Sequence, residues 1–196
     1  MTDLQLSDNV NYISPIMFSQ IMDYIQHKLK HQKLDYTEIQ MLFKIAYHCG
    51  LRVNEVLKLK KNDFDFNLLE VNLGHTKTEE RGRASIPQSF VPELQEFLAN
   101  HTNNYLIFGV SRQTAYVWLM QIGKALSISA LITPQSETRE KTKTHIFRKS
   151  IGKDMLYKKA PLNIIQRKLR HNNINTTSEY LKIKLNDVKN WENGNL

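Results

Sequence analysis

The sequence has almost no cysteine and no low-complexity segment. Cys49 is the only cysteine among the 196 residues, so the fold cannot depend on a disulfide within the chain, and a reducing compartment, the cytoplasm, is expected. No base stands near Cys49 in a recognisable catalytic motif, which favours a small buried side chain over a nucleophile. No repeat or linker divides the chain, and its length is that of one ordinary domain.

Long hydrophobic runs are absent as well. No apolar run approaches the roughly 20 residues that a membrane-spanning helix requires. Residues 1–11 are polar and have neither a cationic start nor an apolar centre, so a signal peptide is not expected. These two absences argue against a membrane or secreted protein.

Acidic residues are outnumbered by basic ones. The chain has 27 Lys and Arg against 19 Asp and Glu, which gives a net charge of +8. Residues 141–170 contain ten of the cations and only one carboxylate, Asp154. This asymmetry predicts a face that binds phosphates, because neutralising a polyanion releases its condensed counterions. The simpler alternative is a basic protein kept soluble by charge repulsion.

Apolar residues recur at helical spacing along most of the chain. Ser14 and Pro15 are typical of a helix start, and Gly50 suits the left-handed residue that ends a helix. Trp118, on one apolar helical face, is expected in the core. Across residues 69–86 the pattern alternates instead, with a polar segment between two short apolar stretches, which predicts a β-hairpin. The fold class is therefore predicted as mainly α with a small antiparallel β-sheet (α+β).

Two pairs of polar residues stand at predicted helix starts. His145 and Arg148 are three residues apart, so both side chains project from one face, and an exposed Arg beside a His at a helix N-terminus suits a phosphate. Arg52 follows the turn at Gly50, and Glu55 stands where it can orient the guanidinium. Taken alone, each pair is more typical of a solvated surface than of a phosphate site.

Three more candidate residues lie further along the chain. Lys77 falls at the tip of the predicted hairpin, from which a long cation can reach a ligand, although most turn lysines are merely solvated. His171 follows a predicted helix end, and Tyr180 comes nine residues later. Thr176 and Glu179 have the spacing of a capping box, which predicts Tyr180 in the first turns of a helix. A tyrosine there is otherwise ordinary packing.

In this order and at these spacings, the candidates resemble the tyrosine site-specific recombinase (phage integrase) family. The resemblance extends from about residue 42 to residue 181. The matching segments are residues 49–56 around Arg52 with the acidic residues 63–65, residues 75–78 around Lys77 followed by Arg83 and residues 86–87, residues 144–148 with His145 and Arg148, residues 169–171 ending in His171, and residues 177–181 around Tyr180.

Two positions depart from the family pattern. The family usually has glycine before its second histidine, where this chain has Arg170, and often has histidine after its second arginine, where this chain has Lys149. Neither departure removes a reactive group. Arg170 is expected either to bend the backbone differently or to add a phosphate contact.

The resemblance implies the fold of tyrosine recombinase and type IB topoisomerase catalytic domains, and it implies cleavage and rejoining of DNA strands. Tyr180 would attack the scissile phosphate and form a 3′-phosphotyrosyl bond. Arg52 and Arg148 would neutralise charge on the non-bridging oxygens, because the guanidinium fork fits phosphate.

The remaining roles are also those of the family. Lys77 would protonate the leaving 5′-oxygen, His145 would assist proton transfer at the tyrosine, and His171 would hydrogen-bond the transition state. The phosphotyrosyl bond stores the energy for rejoining, so no cofactor is expected. The sequence has no acidic cluster suited to two metal ions, and a metal-free reaction is expected.

Two other functions compete with recombination. A type IB topoisomerase, which relaxes DNA, shares the Arg, Lys, Arg, His and Tyr plan, but the His-x-x-Arg segment and the short chain favour a recombinase. A non-catalytic DNA-binding regulator is the second alternative, against which stands the presence of all six reactive residues. The sequence does not name the DNA site, nor decide between integration, excision, inversion and resolution.

Domain organisation and assembly follow as further expectations. We expect residues 1–182 to form the catalytic domain, without the N-terminal core-binding domain that family members usually carry, either as an excised domain or as a naturally short recombinase. Residues 183–196 carry an apolar stripe of Leu185, Val188 and Trp191, which predicts a tail helix. This helix docks either on its own domain or on a neighbouring protomer. The second arrangement predicts a free monomer that forms a tetramer on paired sites in double-stranded DNA, in the cytoplasm with the nucleoid.

Overall fold

The computed structural model describes residues 12–28, 36–74, 82–102, 105–132 and 145–181, apart from the side chains of Lys28, Ala130, Ile132 and Tyr180. Within these ranges the chain is mainly helical, with three short strands. The helices are α1 (Pro15–Lys28), α2 (Tyr36–His48), α3 (Val53–Val56), α4 (Val91–Ala99), α5 (Arg112–Ala125), α6 (Ser129–Ile132), α7 (Ile146–Tyr157), α8 (Leu162–Leu169) and α9 (Ile174–Leu181). The strands are β1 (Phe64–Asp65), β2 (Glu70–Asn72) and β3 (Arg83–Ser85), and two 3-10 turns span Lys61–Asp63 and Gln88–Phe90. No helix in these ranges is long and apolar enough to cross a membrane.

The three strands form one antiparallel sheet in the order β1-β2-β3. Val71 in β2 lies opposite Phe64 on one side and Ala84 on the other, and all three side chains are buried. The predicted hairpin is confirmed as β2 and β3, whereas β1 was not predicted from the sequence. The predicted mainly α fold with a small antiparallel sheet is therefore confirmed.

The main core forms where α2 packs against α1 and α7. Phe18 stacks on Tyr47 with 4.1 Å between ring centroids, and Phe43 lies 4.9 Å from Phe147. Aromatic side chains of this size supply much of the apolar area that stabilises a core. Cys49 is fully buried with a free thiol, as its apolar neighbours predict.

Gly152 allows the last described helix to approach α7 closely. A Cβ at this position would lie 2.9 Å from Leu181 Cδ2 and 3.0 Å from Leu169 Cδ1. Leu169, Leu181 and Ile165 form a second, smaller core. This close contact fixes α9 against α7 and α8.

Candidate active site

Glu55 lies at the centre of the candidate site. Arg52 immediately precedes α3 in an extended conformation, and its backbone N–H donates to Glu55 Oε2 at 2.7 Å. The Arg52 side chain returns to the same carboxylate, with Nη1 donating to Oε1 at 3.0 Å. The orienting role expected for Glu55 is therefore present, and 43% of the Arg52 side chain remains exposed.

His145 and Arg148 belong to the start of α7. His145 is the residue before the helix and is half-buried. Arg148 Nη1 donates to the carbonyl of Gly50 at 2.8 Å and lies 4.0 Å from Glu55 Oε2. The expectation that Arg148 is exposed is wrong, since only 1% of its side chain is accessible. The residue turns inward because the Gly50 carbonyl accepts its hydrogen bond and the Glu55 carboxylate balances part of its charge.

His171 is held from both sides. Its Nδ1 is hydrogen-bonded to the hydroxyl of the buried Thr177 at 3.1 Å, and Gln166 Nε2 donates to its carbonyl at 3.0 Å. Thr177 lies in α9, three residues before Tyr180. The second histidine of the predicted set is therefore linked directly to the helix that contains the predicted nucleophile.

The predicted capping box in α9 is wrong. The helix already begins at Ile174, and the Thr176 N–H donates to the carbonyl of Asn173 at 3.1 Å. Asn173 also accepts a bond from the Asn175 N–H through its side chain, so this residue organises the first turn. Tyr180 is consequently near the end of the described helix, and its side chain lies outside the described part of the chain.

Arg170, the position that departs from the family pattern, ends α8 in a left-handed conformation with φ 50° and ψ 44°. Such a conformation costs a non-glycine residue on the order of 1–3 kcal/mol. The side chain does not extend into solvent, since Nη2 donates to Glu55 Oε2 at 2.7 Å and 5% of the side chain is exposed. A bent backbone was one of the two expectations for Arg170; its ion pair with Glu55 was not foreseen.

The carboxylate at the centre is surrounded by positive charge. Burial alone would raise the pKa of Glu55, but Arg170, the Arg52 backbone N–H and Arg148 hold it below its ordinary value. Glu55 is therefore ionised at neutral pH. Three guanidinium groups around one carboxylate leave a surplus of two positive charges, which suits a phosphodiester.

Both histidines of the site are neutral at pH 7. Burial, followed by the charges of Arg52 and Arg148, lowers the pKa of His145 to about 4. Burial and the same two arginines lower the pKa of His171 to about 4. Each imidazole thus presents one N–H and one lone pair, which equips it to donate one hydrogen bond and accept another.

A basic cleft of about 900 Å³ opens beside the site, between the sheet and α8. Arg83, Arg167, Lys168 and Arg170 line it together with His171, and Glu70 is the acidic residue of its lining. Lys168 Nζ donates to the carbonyl and the hydroxyl of Ser85, each at 3.0 Å, so α8 is fixed to β3. The cleft therefore extends the basic surface from His171 along α8 to the sheet.

Four of the six predicted site residues come together in the described part of the chain. Arg52, His145, Arg148 and His171 lie close enough for the arginines and His145 to influence the pKa of His171. Lys77 lies outside the described residues. Arg112, at the start of α5, also acts on the pKa of His145 and was missed, because a single arginine after a helix cap is unremarkable in sequence. Within the described residues no group of three His, Cys, Asp or Glu side chains could hold a metal ion.

The chain belongs to the phage integrase family, whose sequence model matches residues 12–186. Among similar proteins is a tyrosine recombinase of Pseudothermotoga lettingae, 26% identical over an alignment of 171 residues, which covers 84% of this chain and 54% of the relative. A tyrosine recombinase of Thermosipho africanus is 25% identical over 146 residues, 71% of this chain and 47% of that protein. The chain thus spans about half the length of these relatives.

Solved structures share the fold. The site-specific recombinase XerH, bound to a palindromic difH substrate as a post-cleavage complex, superimposes with a TM-score of 0.68 at 20% identity, over 93% of this chain and 52% of that one. The catalytic domain of bacteriophage HP1 integrase gives a TM-score of 0.61 at 13% identity and covers 95% of both chains. The fold of this chain is that of a tyrosine recombinase catalytic domain.

Proposed function

We propose that the protein cleaves and rejoins double-stranded DNA at specific sites through a 3′-phosphotyrosine formed on Tyr180. One observation carries the proposal. Separate segments of the chain bring Arg52, Arg148, His145 and His171 together, and the segment ending in His171 leads into the helix of Tyr180. Membership of the phage integrase family supports the same reaction.

In this mechanism Arg52 and Arg148 bind the non-bridging oxygens of the scissile phosphate. Their positions are fixed before DNA binds, since Glu55 holds Arg52 and the Gly50 carbonyl holds Arg148. Fixed donors stabilise the growing negative charge without reorganising during the reaction. Arg52 is the more exposed of the two and makes the first contact.

The neutral histidines handle protons and hydrogen bonds. His145 accepts the proton of the attacking tyrosine, a role for which a neutral imidazole has the lone pair. When the Thr177 hydroxyl donates to Nδ1 of His171, the imidazole proton resides on Nε2, from which it bonds a phosphate oxygen. Lys77 supplies the proton for the leaving 5′-oxygen, and the tyrosyl phosphate keeps the energy that rejoining needs.

We further propose that residues 1–182 act as the catalytic domain and that the tail 183–196 docks on a neighbouring protomer. Exchange of tails would couple the subunits of a tetramer on paired DNA sites, while the free protein would be a monomer. Binding to chromosomal DNA would place the protein in the cytoplasm with the nucleoid. Deletion of residues 183–196 should spare folding and abolish joint complexes of two DNA sites in gel-shift assays, and unchanged joint complexes would reject the exchange.

The proposed function is tested by recombination in vitro. Inverted repeats in the DNA that flanks the gene supply the candidate sites, which are placed in pairs on a supercoiled plasmid and incubated with purified protein. The expected result is inversion or excision between paired sites and no change in a plasmid without them. Relaxation of the plasmid that lacks sites would indicate a topoisomerase instead, and binding without any strand exchange would indicate a regulator.

A further inference from the structure

Four helices in the described part of the chain end with the same hydrogen-bonded turn, and the residue at its left-handed position differs among them. At the end of α5 it is Ser127, with φ 57°. At the end of α2 the residue is Gly50, with φ 65°, and at the end of α7 it is the exposed Lys159, with φ 62°. At the end of α8 it is Arg170, with φ 50°. In each turn the left-handed residue donates its N–H to the carbonyl three residues earlier. Glycine adopts this conformation without strain, whereas arginine does not, so a contact of the Arg170 side chain is expected to offset the strain.

The Arg170 side chain makes such a contact, which joins segments that are 115 residues apart. Its Nη2 binds the same Glu55 oxygen that accepts the backbone N–H of Arg52. The other terminal nitrogen, Nη1, is buried and has no hydrogen-bond partner among the described residues. The guanidinium is therefore buried against Glu55, although Arg170 also lines the basic cleft.

The Arg170 backbone is connected to the other half of the site. His171 follows it directly, and the His171 N–H donates to the carbonyl of Gln166 at 3.1 Å to complete the left-handed turn. The direction of this turn sets where His171 leaves α8 and where α9 begins. The Arg170 side chain thus binds Glu55, the carboxylate that orients Arg52. The Arg170 main chain leads directly to His171, which precedes the helix that contains Tyr180.

We propose that Arg170 is a positioning residue of the cleavage reaction, which fixes the segment of His171 relative to Arg52 through Glu55 and does not touch DNA. The effect of Arg170 on the cleavage rate rests on the proposed function. The ion pair between Arg170 and Glu55 does not, because it is present in the free protein. Of the two expectations for Arg170, its hydrogen-bonded ion pair with Glu55 at 2.7 Å favours an internal brace over a phosphate contact. Burial alone does not separate the two, because Arg148 is buried as deeply.

The test compares Arg170→Gly with Lys159→Gly. Both substitutions remove a cation and relieve a left-handed backbone in the same type of turn, but only Arg170 is buried and bound to Glu55. The rate of covalent adduct formation is measured at a saturating concentration of a nicked duplex that contains the cleavage site. The Kd for the same duplex is measured separately. Arg170→Lys, which keeps a charge within reach of Glu55, serves as the rescue variant.

We expect Arg170→Gly to form the adduct roughly 10- to 100-fold more slowly, because small misplacements of catalytic groups cost that much. Its Kd should stay within about threefold, Arg170→Lys should recover part of the rate, and Lys159→Gly should match the unmutated protein. An Arg170→Gly variant that cleaves at the unmutated rate would overturn the proposal. A weaker Kd with an unchanged saturated rate would also overturn it and make Arg170 a DNA contact.

A second measurement needs neither DNA nor activity. The ¹³C NMR signal of the Glu55 carboxyl carbon is followed against pH in the free protein, with Arg52, Arg148, Arg170 and His145 as the charged or titratable groups around it. The midpoint should move upward in Arg170→Gly and stay in place in Lys159→Gly. If the midpoint does not move, the brace does not exist. If the midpoint moves but even the unmutated protein forms no adduct, the proposed function fails and the ion pair stands.

Discussion

His171 and Thr177 are hydrogen-bonded, with 3.1 Å between Nδ1 and Oγ1. The bond crosses from the end of α8 to α9, so the second predicted histidine of the site is attached to the helix that contains the predicted nucleophile. Because Thr177 is fully buried, solvent water cannot take the place of the imidazole as the hydrogen-bond partner of its hydroxyl. The placement of His171 therefore depends on α9 being docked.

Substitution of Thr177 by valine tests this support. Valine keeps the shape and removes the hydroxyl, and a hydrogen bond of about 1 kcal/mol corresponds to roughly a fivefold loss in rate. We expect adduct formation to slow by about that factor in single-turnover measurements. The neighbouring Thr176 is exposed, so Thr176→Val should react at the unmutated rate; equal rates for the two variants would contradict the role of the bond.

Gly152→Ala should disturb the docking of α9 on α7. The new methyl group would lie 2.9 Å from Leu181 Cδ2, and overpacking of this kind typically costs about 1–3 kcal/mol. The free energy of unfolding, measured in urea, should fall by that amount, and adduct formation should slow. Gly109→Ala is the matched control, since nothing lies within 4 Å of its added Cβ. A Gly152→Ala variant as stable as Gly109→Ala would rule out the close approach.

Acidification below about pH 6.5 should destabilise the protein, because the two half-buried imidazoles of the site resist protonation. Burial is the largest cause that lowers the pKa of His145 and of His171 to about 4, whereas an unfolded histidine titrates near pH 6.5. Between these values the unfolded chain binds protons that the folded chain does not, so stability is complete above about pH 6.5 and falls as the pH drops towards 4.

Urea unfolding between about pH 7 and pH 5 measures this dependence. Replacing His145 and His171 with glutamine should reduce the slope, and the part that remains belongs to His48, whose pKa is also lowered to about 4 by burial. His101 donates through Nδ1 to the Phe97 carbonyl, outside the site, and His101→Gln should leave the dependence on His145 and His171 in place. A slope that survives unchanged in the double variant would show that these two imidazoles are not held neutral.

Lys77 is predicted to act as the general acid for the leaving strand. A 5′-alkoxide is a strong base, and a positioned acid is typically worth roughly 10²–10⁴ in rate. Lys77→Ala should lose about that factor with normal DNA and keep its affinity. A substrate with sulfur in place of the 5′-bridging oxygen leaves as a thiolate and needs no acid, so its cleavage should return to nearly the unmutated rate. Without rescue by sulfur, Lys77 is only a phosphate contact, and Arg81 or Arg83 is tested next.

Local sequence patterns predicted the parts of the fold that depend on local structure. Ser14 and Gly50 mark helix ends where the structure has them, because capping and a left-handed turn depend on one or two residues. The short strand β1 escaped prediction, since two residues carry no periodicity. The misplaced start of α9 has a similar cause, because Asn173 competes with the Thr176 spacing for the role of cap.

In the candidate site too, contacts between residues close in sequence were predictable, and contacts between distant residues were not. The pairing of Arg52 with Glu55 was predictable because the residues are three apart on one turn. The burial of Arg148 and the ion pair of Arg170 with Glu55 depend on contacts across 98 and 115 residues, for which a single sequence has no signal. The functional roles of these residues stay predictions that the experiments above decide.

The most direct test of the account is the site of the covalent bond to DNA. The protein is incubated in excess EDTA with a nicked suicide duplex that carries its site, and the SDS-resistant adduct is digested and mapped by mass spectrometry. The account predicts a nucleotide on Tyr180, no adduct from Tyr180→Phe despite intact DNA binding, and a normal adduct from the control Tyr105→Phe, whose side chain is exposed. An adduct that persists in Tyr180→Phe, or one that forms only when magnesium is supplied, would contradict it.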